Sequence, residues 1–370
     1  MNWDDWRLRI NELDNQILQL LTERAEAALK IGDLKRRQDA PVYAPERETE
    51  IVRRLMAANT GPLPAEAILA VWREILSACR ALEATLTVTY LGPQATFTHQ
   101  AARERFGSAG VYRPARSIVE VFDEVERGRA EFGVVPVENS TEGAVNVTLD
   151  RLIGSDAVIC GELRLDIAQQ LLSKASDLGE VKRVLSHPQA LAQCRDWLAS
   201  HLADVEAEEV SSTAAAAEMA AADSGVAAIA SALAGDLYGV PVLRSRIEDN
   251  PQNSTRFLVI GHRPLSTAPP DKTTLVFSLA NEPGALFKAL SVFALRGIDL
   301  TKLESRPIPG HKWEYLFYAD LAAARDDLPC ARALAHLAEF APMLRVLGSY
   351  PSCKSTPSDA PVAQTLERPA

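Results

Sequence analysis

The sequence predicts a multidomain protein with an all-α segment, an α/β segment with a largely parallel or mixed sheet, and an α+β ferredoxin-like segment. At 370 residues the chain exceeds what one ordinary hydrophobic core serves. The apolar residues recur at helical spacing in the first part and form short strand-like runs from Thr87 onward. A β-α-β-β-α-β order, typical of ferredoxin-like folds, follows after a Pro-rich linker. The expected domains are 1–86, 87–262 and 272–350, followed by a disordered tail at 351–370.

Composition and charge narrow the class of protein. A hydrophobic share of 47% and a charged share of 24% are ordinary for a globular protein. The net charge of −10 argues against binding to nucleic acid or to an anionic membrane. The five cysteines are far apart and form no CxxC pair, so we expect reduced thiols in the cytoplasm, with neither disulfides nor a zinc site.

The first segment is predicted to contain one long helix over residues 5–38. Its apolar residues recur every three or four positions, and a rod of this length spans roughly 50 Å. A single chain cannot bury such a stripe, so we expect partner helices from a second copy and therefore a homodimer or a larger homo-oligomer. Shorter helices are expected over 45–59 and 65–86.

Cationic residues on this long helix have a spacing that bears on function. Arg24 and Lys35 are eleven residues apart, close to three whole turns, so they share one face. Arg7 lies about 25 Å from Arg24 along the axis and cannot reach the same small ligand within one chain. Two antiparallel helices in a dimer would bring Arg7 of one chain to Arg24 of the other. A solvated charged face is the alternative.

The stretches "WRLRINELDNQILQLLTERAEAALKIGDLK", "PVYAPERE" and "ILSACRALE" resemble the intertwined, all-helical chorismate mutase family. The resemblance implies that Arg7 and Arg24, from different subunits, bind the carboxylates of chorismate, and that Lys35 donates to its ether oxygen. It places Glu48 opposite the ring hydroxyl. The reaction is an intramolecular rearrangement, so catalysis consists of holding the compact conformer and stabilising charge on the breaking C–O bond. The implied site also includes Arg47, Cys79 and Glu83.

The α/β segment places a polar cluster at the end of several apolar strands. The clusters are "YLGPQATFTHQAA", "VPVENSTEGAV", "LSHPQALAQC", "SSTAAAA" and "NPQNSTRF". Helix capping and turns explain any one of them alone. Five clusters in one domain indicate that strand ends and helix N-termini converge on an anion.

Residues 88–261 resemble prephenate dehydratase, and the resemblance implies two lobes, like those of a periplasmic binding protein, with the substrate in the cleft between them. "ENSTEG" would form one wall, and Thr255 in "STRF" best matches the catalytic threonine, close to the hydroxyl that leaves as water. Arg256 is an implied substrate-binding residue and a candidate for charge stabilisation or structural support. Ala95 stands where many members have glycine. No metal-ligand set or cofactor loop is recognisable. The other implied substrate-binding residues are Thr96, Asn139, Ser140, Ser186, Gln193, Ser212 and Thr213.

The last segment offers a second anion-binding pattern. "EPGALFKAL" places backbone N–H groups at the start of a helix, where a carboxylate is favoured, and "LESRPIPG" ends a strand with a carboxylate and a guanidinium. A turn and a surface ion pair are the alternative. Both stretches resemble the phenylalanine-binding ACT domain, which implies feedback inhibition by L-phenylalanine at a dimer interface. The implied residues are Gly284, Ala285, Leu286, Glu304, Ser305, Arg306 and Pro307.

The three segments in this order resemble the bifunctional chorismate mutase/prephenate dehydratase family over residues 5–350. A non-catalytic amino-acid sensor is an alternative, because both the two-lobed fold and the ACT fold often only bind. Retention of the catalytic pattern around Lys35 and Thr255 argues against it. A dehydratase whose mutase domain serves only for dimerisation is another alternative, which Ala44, in place of an aspartate, and Glu83, in place of a glutamine, keep open.

We predict a pH-dependent mutase, because a glutamate at position 83 can donate to the ether oxygen only as the protonated acid. Mutase activity should therefore fall as pH rises between about 5 and 8, and Glu83→Gln should flatten that profile. Initial rates of chorismate loss across this range test the prediction. A flat profile in the unmodified protein, or an unchanged profile in Glu83→Gln, would contradict it.

Overall fold

The fold is given by a computed structural model that describes residues 2–38, 43, 45–263, 269–307 and 315–353. Ala44 and residues 354–370 of the expected disordered tail, which was predicted over 351–370, lie outside these residues. No helix of the described residues is long and apolar enough to cross a membrane.

The first segment is all-α, as predicted. Its helices are α1 Trp3–Arg37, α2 Pro45–Ala58 and α3 Ala65–Glu83. Helix α1 begins with a capping box, in which Asn2 and Asp5 bond each other's backbone N–H, and ends with basic residues that complement the helix dipole. It crosses α3 so closely that a side chain at Gly32 would lie 3.1 Å from the Glu83 backbone. Large apolar residues of α1, including Trp6 and Ile17, are 55% exposed, which fits the expected partner helices.

The second segment contains two sheets with helices around them. In the first part, the elements are β1 Thr87–Leu91, α4 Phe97–Phe106, β2 Val111–Ala115, α5 Ile118–Glu126, β3 Phe132–Asn139, β4 Gly143–Ala144, α6 Asn146–Gly154 and β5 Val158–Asp166. The next elements are β6 Gln170–Ser173, β7 Arg183–Ser186, α7 Pro188–Gln193, α8 Arg195–His201, β8 Glu206–Glu209, α9 Thr213–Ala222, β9 Val226–Ala230, α10 Ala232–Tyr238 and β10 Val242–Arg244. The segment closes with β11 Ser254–Gly261.

Each sheet forms the centre of one lobe. The first has the order β2-β1-β3-β11-β5, with β4 paired to β3, and the second has the order β10-β6-β9-β7-β8. Both are mixed, because β11 runs antiparallel to its two neighbours and β6 runs antiparallel to β9. The chain enters the second lobe after β5 and returns through β11. The predicted two-lobed α/β architecture is therefore confirmed.

The third segment has the predicted β-α-β-β-α-β order. Its elements are β12 Lys272–Ser278, α11 Ala285–Ala294, β13 Leu300–Pro307, β14 Tyr315–Leu321, α12 Leu328–Ala338 and β15 Met343–Tyr350. The strands form one sheet in the order β13-β14-β12-β15. One face buries the two helices, whereas the other joins the core of the first lobe through residues such as Tyr318 and Leu347, beside Ile159 of β5.

The third segment fits closely onto the first lobe at Gly348 of β15. A Cβ atom added there would lie 2.3 Å from the carbonyl oxygen of Ile159. The same junction contains hydrogen bonds from the Tyr318 hydroxyl to the Leu149 carbonyl, at 2.7 Å, and from Arg345 to the Ile153 carbonyl, at 2.6 Å. The two domains therefore share one packed interface.

Gly348→Ala is expected to lower the melting temperature, because the added methyl group overpacks the junction at a cost of about 1–3 kcal/mol. Gly154→Ala is the matched control, since nothing lies within 4 Å of a Cβ atom at that position. Thermal unfolding followed by circular dichroism measures both. An unchanged melting temperature in Gly348→Ala would contradict the close fit.

Candidate active sites

A cavity of about 420 Å³ lies between the two lobes. The first lobe contributes the turn after β1, the end of β3 and the start of β11, whereas the second contributes the N-terminal ends of α7 and α9. This is the cleft predicted from the polar clusters at strand ends. The sequence-predicted residues that line it are Thr96, Asn139, Gln193, Ser212, Thr213 and Thr255.

Asn139 orients the hydroxyl of Thr255. Its Oδ1 atom accepts hydrogen bonds from the backbone N–H groups of Thr141, at 2.9 Å, and Glu142, at 3.1 Å, which fixes the orientation of the amide. The Nδ2 atom then donates to the Thr255 hydroxyl oxygen at 2.9 Å and to Asn253 at 3.0 Å. Because the hydroxyl oxygen accepts from Asn139, the hydroxyl hydrogen is available to a ligand in the cleft.

The strand register explains why these two side chains meet. Thr255 of β11 lies opposite Asn139 of β3, and Arg256 lies opposite Glu138. Successive side chains of a strand point to opposite faces, so Thr255 and Phe257 line the cleft whereas Arg256 points away from it. Arg256 instead forms ion pairs with Glu162, at 2.7 Å, and with Asp320 of the third domain, at 2.6 Å. The expectation that Arg256 binds substrate in the cleft is therefore wrong; its structural role remains.

Two predicted serines also lie outside the cleft. The Ser186 hydroxyl is buried and donates to the Ile229 carbonyl at 2.6 Å. The Ser140 hydroxyl accepts from the backbone N–H of Ser254 at 2.9 Å. It lines a separate cavity, together with Glu138 and Arg256, on the face of β3 and β11 that points away from the cleft. Each hydroxyl bonds the backbone of a neighbouring strand, and each supports the cleft wall rather than lining it.

The turn before α4 is held by a neutral histidine. Ala95 adopts a left-handed conformation with φ of 68°, which explains why glycine suits this position in the resembled family. The Nδ1 atom of His99 accepts from the Ala95 backbone N–H at 3.1 Å, and the His99 ring stacks on Tyr90. Burial lowers the pKa of His99 to about 4, with a further lowering from Arg103. Neutral His99 therefore fixes the turn that presents Thr96 to the cleft.

His187 is a cleft residue that the sequence-based prediction missed. Its Nδ1 atom accepts from the backbone N–H of Gln189 at 3.3 Å, so Nε2 carries the ring hydrogen and has no partner among the described residues. None of the described residues lining the cleft is lysine or arginine, so an anion there depends on other donors, such as the His187 ring. The sequence signal that could have identified His187 is its position directly before Pro188, because a residue before a helix-starting proline caps the helix; here His187 caps α7. Glu142 and Gln189 hydrogen-bond each other across the cleft.

In the helical segment, Arg24 and Lys35 both reach α3, as expected of residues on one helix face. The Arg24 guanidinium lies 5.9 Å from the centre of the Trp72 ring, and the Lys35 ammonium lies 2.7 Å from the Glu83 carboxylate. The two groups that the resemblance assigns to the ether oxygen of chorismate therefore contact each other. Arg7 is far along the same helix and its side chain is 67% exposed, with Asp4 at 3.9 Å.

Arg80 is a second residue that the sequence-based prediction missed. It pairs with Glu48 at 2.7 Å and also donates to the carbonyl of Phe106 in α4, so it joins the helical segment to the first lobe. Burial raises the pKa of Glu48, although Arg80 opposes the shift. Two other predicted mutase residues differ in exposure: Cys79 is buried in α3, whereas Arg47 is exposed and pairs with Glu50.

The predicted amino-acid site of the third domain comprises two short stretches. Gly284 precedes α11 with φ of 85°, and Ala285 and Leu286 begin that helix. Residues 304–307, which are Glu304, Ser305, Arg306 and Pro307, end β13. Arg306 contacts Asp150 of α6 at 2.9 Å, so this strand also touches the first lobe.

The fold and these sites define a multidomain enzyme that joins a helical mutase domain to a two-lobed dehydratase domain and a regulatory domain. Family models match in the same order: chorismate mutase type II over residues 6–84, prephenate dehydratase over 88–265 and the ACT domain over 273–335. The chain belongs to the family of bifunctional chorismate mutase/prephenate dehydratases. It is 46% identical over 349 residues to the member from Aquifex aeolicus (strain VF5), covering 93% of this chain and 96% of that protein. The Escherichia coli (strain K12) member is 34% identical, with 95% and 97% covered.

Two solved structures are similar in fold to the second and third domains. The prephenate dehydratase from Arthrobacter aurescens, in complex with L-Phe, is 36% identical with a TM-score of 0.65, covering 72% of this chain and 90% of that one. GqqA, described as a quorum quenching acylase, is 32% identical with a TM-score of 0.66, covering 72% of this chain and 98% of that one. One scaffold thus carries two described activities, so the chemistry has to be argued from the side chains in the cleft.

His187→Asn is expected to raise the KM for prephenate roughly tenfold, because the shorter side chain keeps the capping acceptor and loses a donor to a carboxylate. His187→Gln, whose amide extends further into the cleft, is expected to recover part of the loss. Steady-state dehydratase kinetics with supplied prephenate measure both variants. An unchanged KM in His187→Asn would contradict the assignment of His187 as a hydrogen-bond donor to a substrate carboxylate.

Proposed function

We propose that the enzyme rearranges chorismate to prephenate in the helical domain, converts prephenate to phenylpyruvate in the cleft, and is inhibited by L-phenylalanine bound to the ACT domain. The observation that carries the dehydratase assignment is the hydrogen bond from Asn139 to the Thr255 hydroxyl, which leaves the hydroxyl hydrogen free for the substrate. The proposed location is the cytoplasm, in keeping with four buried free thiols and one exposed one.

In the dehydratase step, Thr255 acts as a hydrogen-bond donor to the departing hydroxyl. The bond to the carboxylate breaks, its electron pair enters the ring, and the C–O bond breaks as the ring becomes aromatic. Carbon dioxide and hydroxide leave, and hydroxide takes a proton to become water. A threonine hydroxyl is a weak acid, so its contribution is stabilisation of the developing negative charge. The N-terminal ends of α4 and α9, with Thr96 and Ser212 as caps, suit the substrate carboxylates.

In the mutase step, a second copy of the chain supplies the missing cation. Arg7 and Arg24 are too far apart on α1 to bind one chorismate molecule, and the exposed apolar face of α1 fits helices from a partner. A homodimer is therefore part of the proposal, and association through the ACT domains would give a larger assembly. Chorismate would insert its ether oxygen between Lys35 and Glu83, which contact each other in the single chain.

The alternative in which the mutase domain only dimerises remains open, and one observation favours it. The Lys35–Glu83 ion pair occupies the groups that would otherwise face the ether oxygen. Conversion of chorismate, measured separately from conversion of prephenate, decides between the two.

The test is to supply chorismate near pH 7 and to follow phenylpyruvate with and without L-phenylalanine. We expect phenylpyruvate to form, and to fall when L-phenylalanine is added. Thr255→Ala should lower dehydratase kcat roughly 100-fold, because the donor to the leaving group is lost, and should leave the mutase rate intact. Thr255→Ser keeps the hydroxyl and is the matched control.

Equal loss of both activities in Thr255→Ala would count against the assignment of this residue. Failure to convert either substrate in the unmodified enzyme would overturn the proposed function.

A further inference from the structure

The β3–β11 strand pair presents two residue pairs on opposite faces. Asn139 and Thr255 face the cleft, whereas Glu138 and Arg256, one position away on each strand, face the ACT domain. The register shifts directly after Arg256, where Phe257 pairs with Pro136. One peptide unit on each strand therefore separates the outer pair from the inner pair.

Arg256 is fixed by acidic partners from both domains. Its Nε lies 2.7 Å from Glu162, one terminal nitrogen lies 2.6 Å from Asp320, and the other donates to the Tyr350 hydroxyl at 3.1 Å. Burial disfavours the charged guanidinium, but Tyr350, Asp320 and Glu162 outweigh that effect and raise the pKa of Arg256 above its ordinary value. Arg256 is therefore a permanent cation held at the domain junction.

Glu138 connects this junction to the predicted effector strand. Its carboxylate lies 2.8 Å from the Lys302 ammonium of β13 and 3.8 Å from Arg256. The Lys302 side chain is 13% exposed, whereas that of Glu138 is 39% exposed, so Lys302 is held in place by packing and water reaches the pair from the Glu138 side. The same strand ends in Glu304 and Arg306, which belong to the predicted phenylalanine site.

We propose that Glu138 is a positioning residue, and that its ion pair with Lys302 transmits a displacement of β13 on phenylalanine binding to the Asn139–Thr255 hydrogen bond. This inference rests on the proposed function, because it names the route by which the effector acts on the cleft. Hydrogen bonds weaken steeply with distance and angle, so a shift at Asn139 that lengthens its 2.9 Å bond to about 3.6 Å would release the Thr255 hydroxyl.

The experiment uses the full-length enzyme and the variants Lys302→Gln, Glu138→Gln and the double variant. The measured quantity is the ratio of dehydratase kcat/KM without and with saturating L-phenylalanine, together with the Kd of L-phenylalanine by calorimetry. In the unmodified enzyme we expect an inhibition ratio of roughly 5 to 150. In either single variant this ratio should fall at least about fivefold, or to near unity. The double variant should show no further fall, because both substitutions remove the same ion pair. The Kd should change less than about threefold.

Arg345→Gln is the matched control. It removes another charged contact between the ACT domain and the dehydratase domain, but that contact ends on the Ile153 carbonyl in α6 and does not touch β3 or β11. This variant should keep the inhibition ratio of the unmodified enzyme. A full ratio in Lys302→Gln would overturn the inference. A Kd that rises more than about threefold in Lys302→Gln would also overturn it, since Lys302 would then be an effector-site residue.

Amide hydrogen exchange separates this inference from the proposed function. L-phenylalanine should change exchange at residues 138–140 and 254–257 in the unmodified protein, and this response should be lost in Lys302→Gln. An equal response in both proteins, or none in the unmodified one, would overturn the inference. If the unmodified protein converts no prephenate, the proposed function is wrong, and the exchange experiment still decides whether the ion pair couples the two domains.

Discussion

The pairing of β3 with β11 is the constraint on which the rest of the dehydratase domain depends. β11 returns from the second lobe and inserts antiparallel between β3 and β5, so its register decides which side chains enter the cleft. One residue of slippage would exchange Thr255 for Arg256 and would place a guanidinium where the Thr255 hydroxyl lies. The hydrogen bonds of Asn139 to the turn that follows it and to Thr255 hold that register at the cleft end.

The helical domain depends on a different physical requirement, which is to cover the exposed apolar face of α1. A single rod of 35 residues exposes far more apolar surface than two short helices can cover, and its cations lie too far apart for one ligand. In the proposed homodimer, a second chain would cover the apolar surface and would also supply the missing cation. Assembly and completion of the mutase site would then be one process, whereas the cleft of the dehydratase is formed within one chain.

Much of the architecture could be predicted, because periodicity reports directly on burial. The regular spacing of apolar residues gave α1, and the alternation of strands and helices gave the α/β and ferredoxin-like orders. Strand β8, which is "EAEE", escaped prediction because an edge strand with no apolar face has no such signal. Thr96, Asn139 and Thr255 line the cleft, whereas Arg256, which is adjacent to Thr255 in sequence, points away from it. Strand alternation already implied that two consecutive residues cannot both face the cleft. The partners of Ser140 and Ser186 are backbone groups distant in sequence, which no local pattern reports.

The route of the chain through the two lobes has a mechanical consequence. The whole second lobe is inserted between β5 and β11, whose ends are hydrogen-bonded neighbours, with Asp166 opposite Ser254. Both crossing strands therefore leave the first lobe at one point, and this point is a natural pivot. Thr255 is the next residue after Ser254, so it lies next to this pivot. Opening of the cleft would carry His187 and Ser212 away from the substrate, while the threonine hydroxyl would hardly change its position.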